Sequence, residues 1–419
     1  MNKSKSVQIA AAFLFFLFSI QYLYSQSGWF DLNLPGNYVC MYFISDQTGW
    51  AAGDGGKILK TTNGGINWTE QAVFSEYDLN SIYFPNSMTG YIAGTHCCGF
   101  PSPILKTTNG GLSWNEQTSN VTSGLSSVFF TSPNTGWAVG DSSAIVHTTD
   151  GGNNWFVEST SYYVPFSCVQ FANSLTGWIV GGSIVLKTTN GGANWISPIP
   201  SLNYSLFFEA RFPTISTGYI AGGDILSQQG FVLKSTNGGG SWDSLISSNH
   251  YFLYLSFANE NTGWVCGMDG NILRTTDGGR NWDSQSIGQP GAWLHSIQFI
   301  NSSTGWVTGS SSIFKTTTGG LIGITPISGE VPDSYHLLQN YPNPFNPSTI
   351  IEFSLPKNAN VKIILFDILG RQIQTLADEF KKAGSYKLEF DGNSLTSGTY
   401  FYRLQANEFT ETKKMVLIK

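Results

Sequence analysis

From residue 39 onward the chain reads as short apolar runs broken by polar, glycine-rich turns. Residues 39–44 are apolar, residues 50–53 and 57–60 form shorter runs, and a polar turn over 61–67 leads into Trp68. Runs of this length, bounded by Gly, Asn and Thr, predict four strands, A to D, joined by tight turns. The same layout then recurs. Strand A carries Phe at one place in seven cycles: Phe43, Phe84, Phe130, Phe171, Phe212, Phe257 and Phe299. Two residues earlier stand Met41, Ile82, Val128, Val169, Ala210, Leu255 and Ile297. That spacing puts both on one face of the strand, where neighbouring sheets would pack.

Two strings keep step with this pattern. T-G-W/Y-x-x-G begins at Thr48, Thr89, Thr135, Thr176, Thr217, Thr262 and Thr304. T-T-N-G-G-I-N-W begins at Thr61, returns at Thr107, Thr148, Thr188, Ser235 and Thr275, and is cut to T-T-T-G-G at Thr316. A period of 41–46 residues holding four strands predicts a β-propeller with one blade per repeat. The seventh hairpin lacks its Trp and has Thr318 where the others carry Asn63, Asn109, Asp150, Asn190, Asn237 or Asp277. Residues 27–31, Ser-Gly-Trp-Phe-Asp, read as the missing half. The N-terminal strand is therefore expected to complete the last blade and close the ring. After residue 322 the repeats stop. Alternating runs at 350–355, 361–367, 386–390, 400–404 and 413–418 predict a small β-sandwich. The expected fold class is all-β: a seven-bladed propeller over 26–322, a linker over 323–338 and a sandwich over 339–419.

Composition agrees. Charged residues make only 11%, aromatics 14%, and Gly occurs 47 times, as tight turns between strands require. Residues 29–322 hold 17 acids and 9 bases, while 323–419 hold 10 of each. A propeller this poor in base is not expected to bind nucleic acid. Residues 1–25 have the parts of a secretory signal: Lys3 and Lys5, an apolar stretch over 7–20, and Ser25 at a cleavage position. The stretch is too short to span a bilayer, so no transmembrane anchor is expected once it is removed. The five cysteines, 40, 97, 98, 168 and 266, cannot all pair within the chain. His96-Cys97-Cys98 is the one hint of a metal ligand set, and three adjacent residues hold an ion poorly. No metal and no cofactor is expected.

The hairpins resemble the Asp-box, S/T-x-D/N-x-G-x-x-W, with structural Trp68, Trp114, Trp155, Trp195, Trp242 and Trp282. Their alternation with T-G-W/Y-x-x-G resembles the BNR propellers of photosystem II assembly-factor type, a likeness that implies fold and leaves function open. Sialidases share the box, and their activity implies an arginine triad. The propeller has only Arg211, Arg274 and Arg280. Arg274 belongs to a repeating base before each hairpin, with Lys60, Lys106, His147, Lys187, Lys234 and Lys315, and so reads as scaffold. A two-carboxylate glycosidase stays open as an alternative, as does an accessory protein of polysaccharide use. Its acids would come from Asp54, Asp141, Asp224 and Asp269 in the B–C turns, where Asp also simply favours turns.

In the tail, Y-P-N-P-F-N-P-S-T at 341–349, D-I-L-G-R at 367–371, S-G-T-Y-F-Y-R-L at 397–404 and K-K-M-V-L-I-K at 413–419 resemble a type A C-terminal sorting domain of the type IX secretion system. The resemblance implies passage through the periplasm, contact of residues 339–419 with that machinery, and release outside the cell or attachment to its surface.

Ligand candidates lie on the D–A and B–C loops: Tyr77, Tyr162, Tyr163, Tyr204, Tyr251 and Trp293. Such aromatics either cap the ring's lip or form platforms for sugar or protein. Glu209 and Arg211 are the only charges on any strand A and share a face. They read either as a self-satisfied ion pair or as a polar contact for a ligand in the channel. The B–C loops at 95–103 and 223–231 are longer than the others, which marks that end of the ring. The expectation is a secreted or surface-bound propeller that binds a glycan or a protein and is not an enzyme.

Overall fold

The computed structural model describes residues 28–418 apart from 97–99, 200–204, 288, 290, 311, 322, 329, 393 and 394. The signal-like segment and the Cys97-Cys98 pair lie outside the described residues.

Seven antiparallel sheets form the propeller. Their first strands are Tyr38–Phe43, Tyr77–Tyr83, Leu125–Phe130, Cys168–Phe171, Ser205–Arg211, Phe252–Phe257 and Leu294–Phe299. Blades 1, 2, 3, 5, 6 and 7 have four strands, and blade 4 has three, with strand D reduced to a bridge between Lys187 and Ile196. Blade 7 takes its outer strand from the N-terminus: Phe30 pairs with Lys315 and Asp31 with Phe314.

The repeated strings acquire a physical meaning at the blade junctions. In T-G-W/Y the aromatic ring stacks on strand-A Phe of the next blade. The seven pairs are Trp50–Phe84, Tyr91–Phe130, Trp137–Phe171, Trp178–Phe212, Tyr219–Phe257, Trp264–Phe299 and Trp306–Phe43, with centroids 3.4–4.2 Å apart. The preceding Gly makes room: a Cβ at Gly49 would stand 2.4 Å from the Phe43 ring. Hairpin Trp residues meet the same Phe rings edge-on, as Trp68 meets Phe43 at 5.9 Å. Trp29 fills that role on Phe299 at 5.7 Å, where the seventh hairpin has no Trp.

The base before each hairpin is scaffold. Lys60 Nζ and Trp50 Nε1 both donate to the Gly110 carbonyl of the next blade, at 2.7 and 3.2 Å. Lys187 and Trp178 do the same to Gly238, and Lys234 and Tyr219 to Gly278. Trp306 closes the circle on Gly64.

Each box is held locally. Asn63 Oδ1 accepts from the Asn67 N–H, and Thr61 Oγ1 accepts from the Gly65 N–H, both at 2.9 Å. Asp replaces Asn in blades 3 and 6. Bonds from the Asn154 side chain and N–H pull Asp150 down to about 2. Burial works against Asp277, yet bonds from Asn281 and Thr275 hold it below the usual range. A lowered native pKa gives stability that is present above the ordinary carboxylate pKa and is lost as pH falls toward the native value. Thermal melts from pH 5 to pH 2 should therefore fall more steeply for the parent than for Asp150→Asn/Asp277→Asn. Parallel curves would contradict this.

The C-terminal unit is a two-sheet sandwich with its own core, including Phe345, Phe353, Val361, Leu365, Tyr402 and Leu417. One sheet orders Ile324–Ser328, Gly384–Asp391, Ser348–Leu355 and His336–Leu337. The other orders Gln372–Lys381, Ala359–Phe366, Gly398–Ala406 and Phe409–Leu417. This corrects the linker expected over 323–338. Ile324 and Leu337 are core residues, so two stretches of that segment are edge strands held by apolar burial.

Candidate functional site

The strands A surround a channel holding a cavity of about 550 Å³. Its geometry follows from a shared irregularity. Strand A of blades 1, 2, 3, 5, 6 and 7 carries a β-bulge, for example between Tyr38 and Cys40 and between Phe207 and Glu209. A bulge inserts one unpaired residue and re-aims side chains. The inserted Val39, Asn80, Ser126, Phe208 and Leu253 line the cavity at its mouth, on the end formed by the D–A and B–C loops.

Below them lies a tier that includes Cys40, Ser81, Ser127, Glu209, Tyr254 and Ser296. The lowest tier is Tyr42, Tyr83, Phe129, Gln170, Arg211, Ser256 and Gln298, and the lining ends there. Several polar members are committed to the scaffold. Gln170 accepts from the Phe212 N–H, Ser256 from Phe299 and Gln298 from Phe43, each in the next blade, at 2.7–2.9 Å. Ser81 and Ser127 likewise accept from Val128 and Val169. On one side Tyr42 packs on Tyr83 at 5.2 Å and Tyr83 on Phe129 at 4.8 Å.

Glu209 and Arg211 meet within this cavity. Arg211 Nη1 forms an ion pair with Glu209 Oε1 and donates to the Ala210 carbonyl at 3.3 Å. Cys168 Sγ lies 3.6 Å from Glu209 Oε1. The Glu209 side chain is 9% exposed and that of Arg211 38%, so the carboxylate is held inside while the Arg211 side chain is partly open to the channel. Burial pushes the Glu209 carboxyl up, with Arg211 opposing. Burial also works against the Arg211 charge, and Glu209 more than compensates. Burial raises the Tyr42 and Tyr83 phenols while the Arg211 charge pulls both down, as a guanidinium facing them would. Cys40, Cys168 and Cys266 are free and buried, and burial keeps their thiols protonated.

The aromatic candidates do not gather into one surface. Tyr77 starts strand A of blade 2 and donates to Glu116 Oε2 at 2.7 Å. The Tyr251 ring lies over Gly223 and its hydroxyl donates to the Asp224 carbonyl at 3.3 Å. Tyr162 packs on the core of blade 4. Tyr163 and Trp293 stand out from their loops, 94% and 50% exposed. Tyr204 lies outside the described residues. At the longer loops, His96 faces Glu76 at 3.5 Å, and the Asp224 carboxylate is occupied by the Leu226 and Ser227 N–H groups. The sequence reading missed the bulged residues at the mouth.

Residues 23–122, 112–250 and 245–323 match the model of photosynthesis system II assembly factor YCF48. Residues 339–419 match that of a secretion system C-terminal sorting domain, which directs the chain to the cell surface or the extracellular space. No curated protein matches the chain in sequence. Among solved structures, YCF48 bound to D1 peptide superposes with a TM-score of 0.57 at 20% identity, covering 70% of this chain and 98% of that one. YCF48 from Cyanidioschyzon merolae gives 0.56 at 21% identity, covering 69% and 98%. The GH74 xyloglucanase from Xanthomonas campestris gives 0.56 at 11% identity, covering 78% of this chain and 59% of the enzyme. At these identities the likeness is one of fold. Among the described residues no helix is long and apolar enough to cross a membrane.

Proposed function

The chain belongs to the photosynthesis system II assembly factor YCF48 family, and from that premise we propose that it is an exported binding propeller, without catalytic activity, whose ligand is a peptide or protein segment entering the channel mouth. The observation that carries this reading is the 550 Å³ cavity with the partly open Arg211 side chain at its lowest tier. The type IX secretion machinery would act on the sorting sandwich and leave the mouth free for its ligand outside the cell.

Three features support binding over hydrolysis. Glycoside cleavage needs two carboxylates across one bond. Of the two that line the cavity, Glu209 is tied to Arg211 and Asp141 begins a B–C turn. A sugar platform needs exposed rings gathered on one surface: Tyr77 and Tyr251 spend theirs on neighbouring packing and bonds, and the exposed Tyr163 and Trp293 stand on separate loops. The YCF48 relative was solved with a peptide.

Peptide and glycan arrays probed with the full chain test the reading, with reducing-sugar release assayed on every glycan hit. Peptide binding without sugar release is expected, weakened at least about tenfold by Leu253→Arg, which puts bulk and charge in the mouth without touching a blade junction. Sugar release would overturn the non-enzyme reading. Binding unmoved by Leu253→Arg and by Phe208→Arg would place the site elsewhere.

A further inference from the structure

We infer that the lowest tier of the channel is a carboxylate-binding site, and that the ligand is a peptide presenting one carboxylate to Arg211 with neutral or basic residues beside it. This rests on the peptide-binding reading above and names the chemistry of that same site.

Arg211 holds the unspent charged donors of this tier. Gln298 donates Nε2 to the Phe43 carbonyl at 2.9 Å, while Gln170 Oε1 and Ser256 Oγ accept from the backbone of the next blade, bonds that do not use their neutral N–H and O–H donors. Arg211 uses Nη1 on Glu209 and Ala210. Among the described residues its Nε and Nη2 donate to nothing. A guanidinium carries its donors in a planar fork that matches the two oxygens of a carboxylate. Glu209 grips one edge and fixes the orientation, which leaves the remaining donors for an incoming group. Tyr42 and Tyr83, on blades 1 and 2, face the guanidinium of blade 5 across the tier and add phenols to it. Phe129 continues that wall and gives the body of the ligand an apolar surface.

The charge at the mouth selects what can enter. The seven bases of the repeat all sit at the opposite end, before the hairpins, with Lys60, Lys187 and Lys234 locked on carbonyls of the next blade. The mouth end carries Asp54, Asp78 and Asp141 on its turns and strand starts, and Asp269, which faces His250 Nδ1 at 2.7 Å. Its Lys57 already faces Glu70 at 3.4 Å. An anionic rim over a cationic lowest tier rejects a polyanion, such as a uronic-acid polymer, before it reaches Arg211. It admits a chain whose single carboxylate is accompanied by Lys or Arg, which meet the rim as the carboxylate meets the fork.

Two random pentapeptide pools separate the possibilities, each equilibrated with the full chain by dialysis and read by mass spectrometry. One pool has free C-termini and includes Asp and Glu. The other is amidated and lacks both acids. The carboxylate pool should be retained at least about tenfold better, enriched in members with one carboxylate and at least one Lys or Arg. Glu209→Leu/Arg211→Met, first checked for an unchanged melt, should lose that preference, and Arg211→Lys, which keeps the charge without the fork, should narrow it. Equal retention of both pools would overturn the carboxylate site and leave the peptide-binding reading standing. Retention of neither pool, with or without capture of glucuronic-acid oligosaccharides run beside them, would overturn both.

Discussion

Trp29→Ala is expected to destabilise the propeller by about 3–5 kcal/mol, the range for removing a buried Trp. Trp29 has no exposed surface, packs edge-on against Phe299 and donates to Gln285 Oε1 at 3.2 Å. It belongs to the one blade assembled from both ends of the repeat region. The following residues fasten the same seam: Leu32 N–H donates to the Ile313 carbonyl at 2.9 Å, and Leu34 N–H to Ser312 Oγ at 3.1 Å. Deleting residues 28–34 should do more than lower stability. It would expose strand Ile313–Thr316 as a free edge and make residues 294–321 the first to be cut by protease. Urea melts with limited proteolysis check both. A loss from Trp29→Ala below 1 kcal/mol would mean that the ring closes without this strand.

The second large effect concerns the buried pair. Arg211→Met leaves the Glu209 carboxylate without its partner inside the ring and should cost about 3–5 kcal/mol. Glu209→Leu should cost less, because the Arg211 side chain is 38% exposed and so less deeply enclosed than the carboxylate. The double variant Glu209→Leu/Arg211→Met should fall within about 1 kcal/mol of the parent, since buried pairs replaced by apolar groups of similar volume are often neutral or stabilising. A double-mutant cycle by urea unfolding reads all three values. A double variant as unstable as Arg211→Met alone would make the pair a structural necessity. It would also remove the reason to see the pair as kept for a ligand.

Much of this architecture was legible in the chain. Seven repeats in step, the broken box at Thr316 and the orphaned half-box at Trp29 together specify a ring sewn shut by its N-terminus. Local patterns sufficed because each blade is built from short-range hairpins and repeats one junction. The same period hid the site. The step of two from Phe43 back to Met41 does not continue to the next buried residue. It is Tyr38, three residues before Met41, and Leu79, Leu125, Phe166, Phe207, Phe252 and Leu294 keep that spacing. A step of three in a period of two is what a bulge writes into a sequence, and that extra residue is the one that lines the mouth. The segment 323–338 was misread for a different reason. Its prolines, Pro326 and Pro332, signal a break, yet an edge strand tolerates Pro, and Ile324 is buried against the sandwich. Tyr77 and Tyr251 looked like platforms because sequence shows where a ring sits on the chain and not which neighbour it covers.

The most direct test of the account is a crystal structure of the full chain with a peptide retained in the pool experiment. The account predicts the peptide in the channel mouth, its carboxylate within hydrogen-bond distance of Arg211 Nε or Nη2 and its basic residues toward Asp54, Asp78, Asp141 or Asp269. A peptide bound along the Asp-box hairpins, on the outer strands D or against the exposed Tyr163 and Trp293, with the channel holding only water, would contradict it.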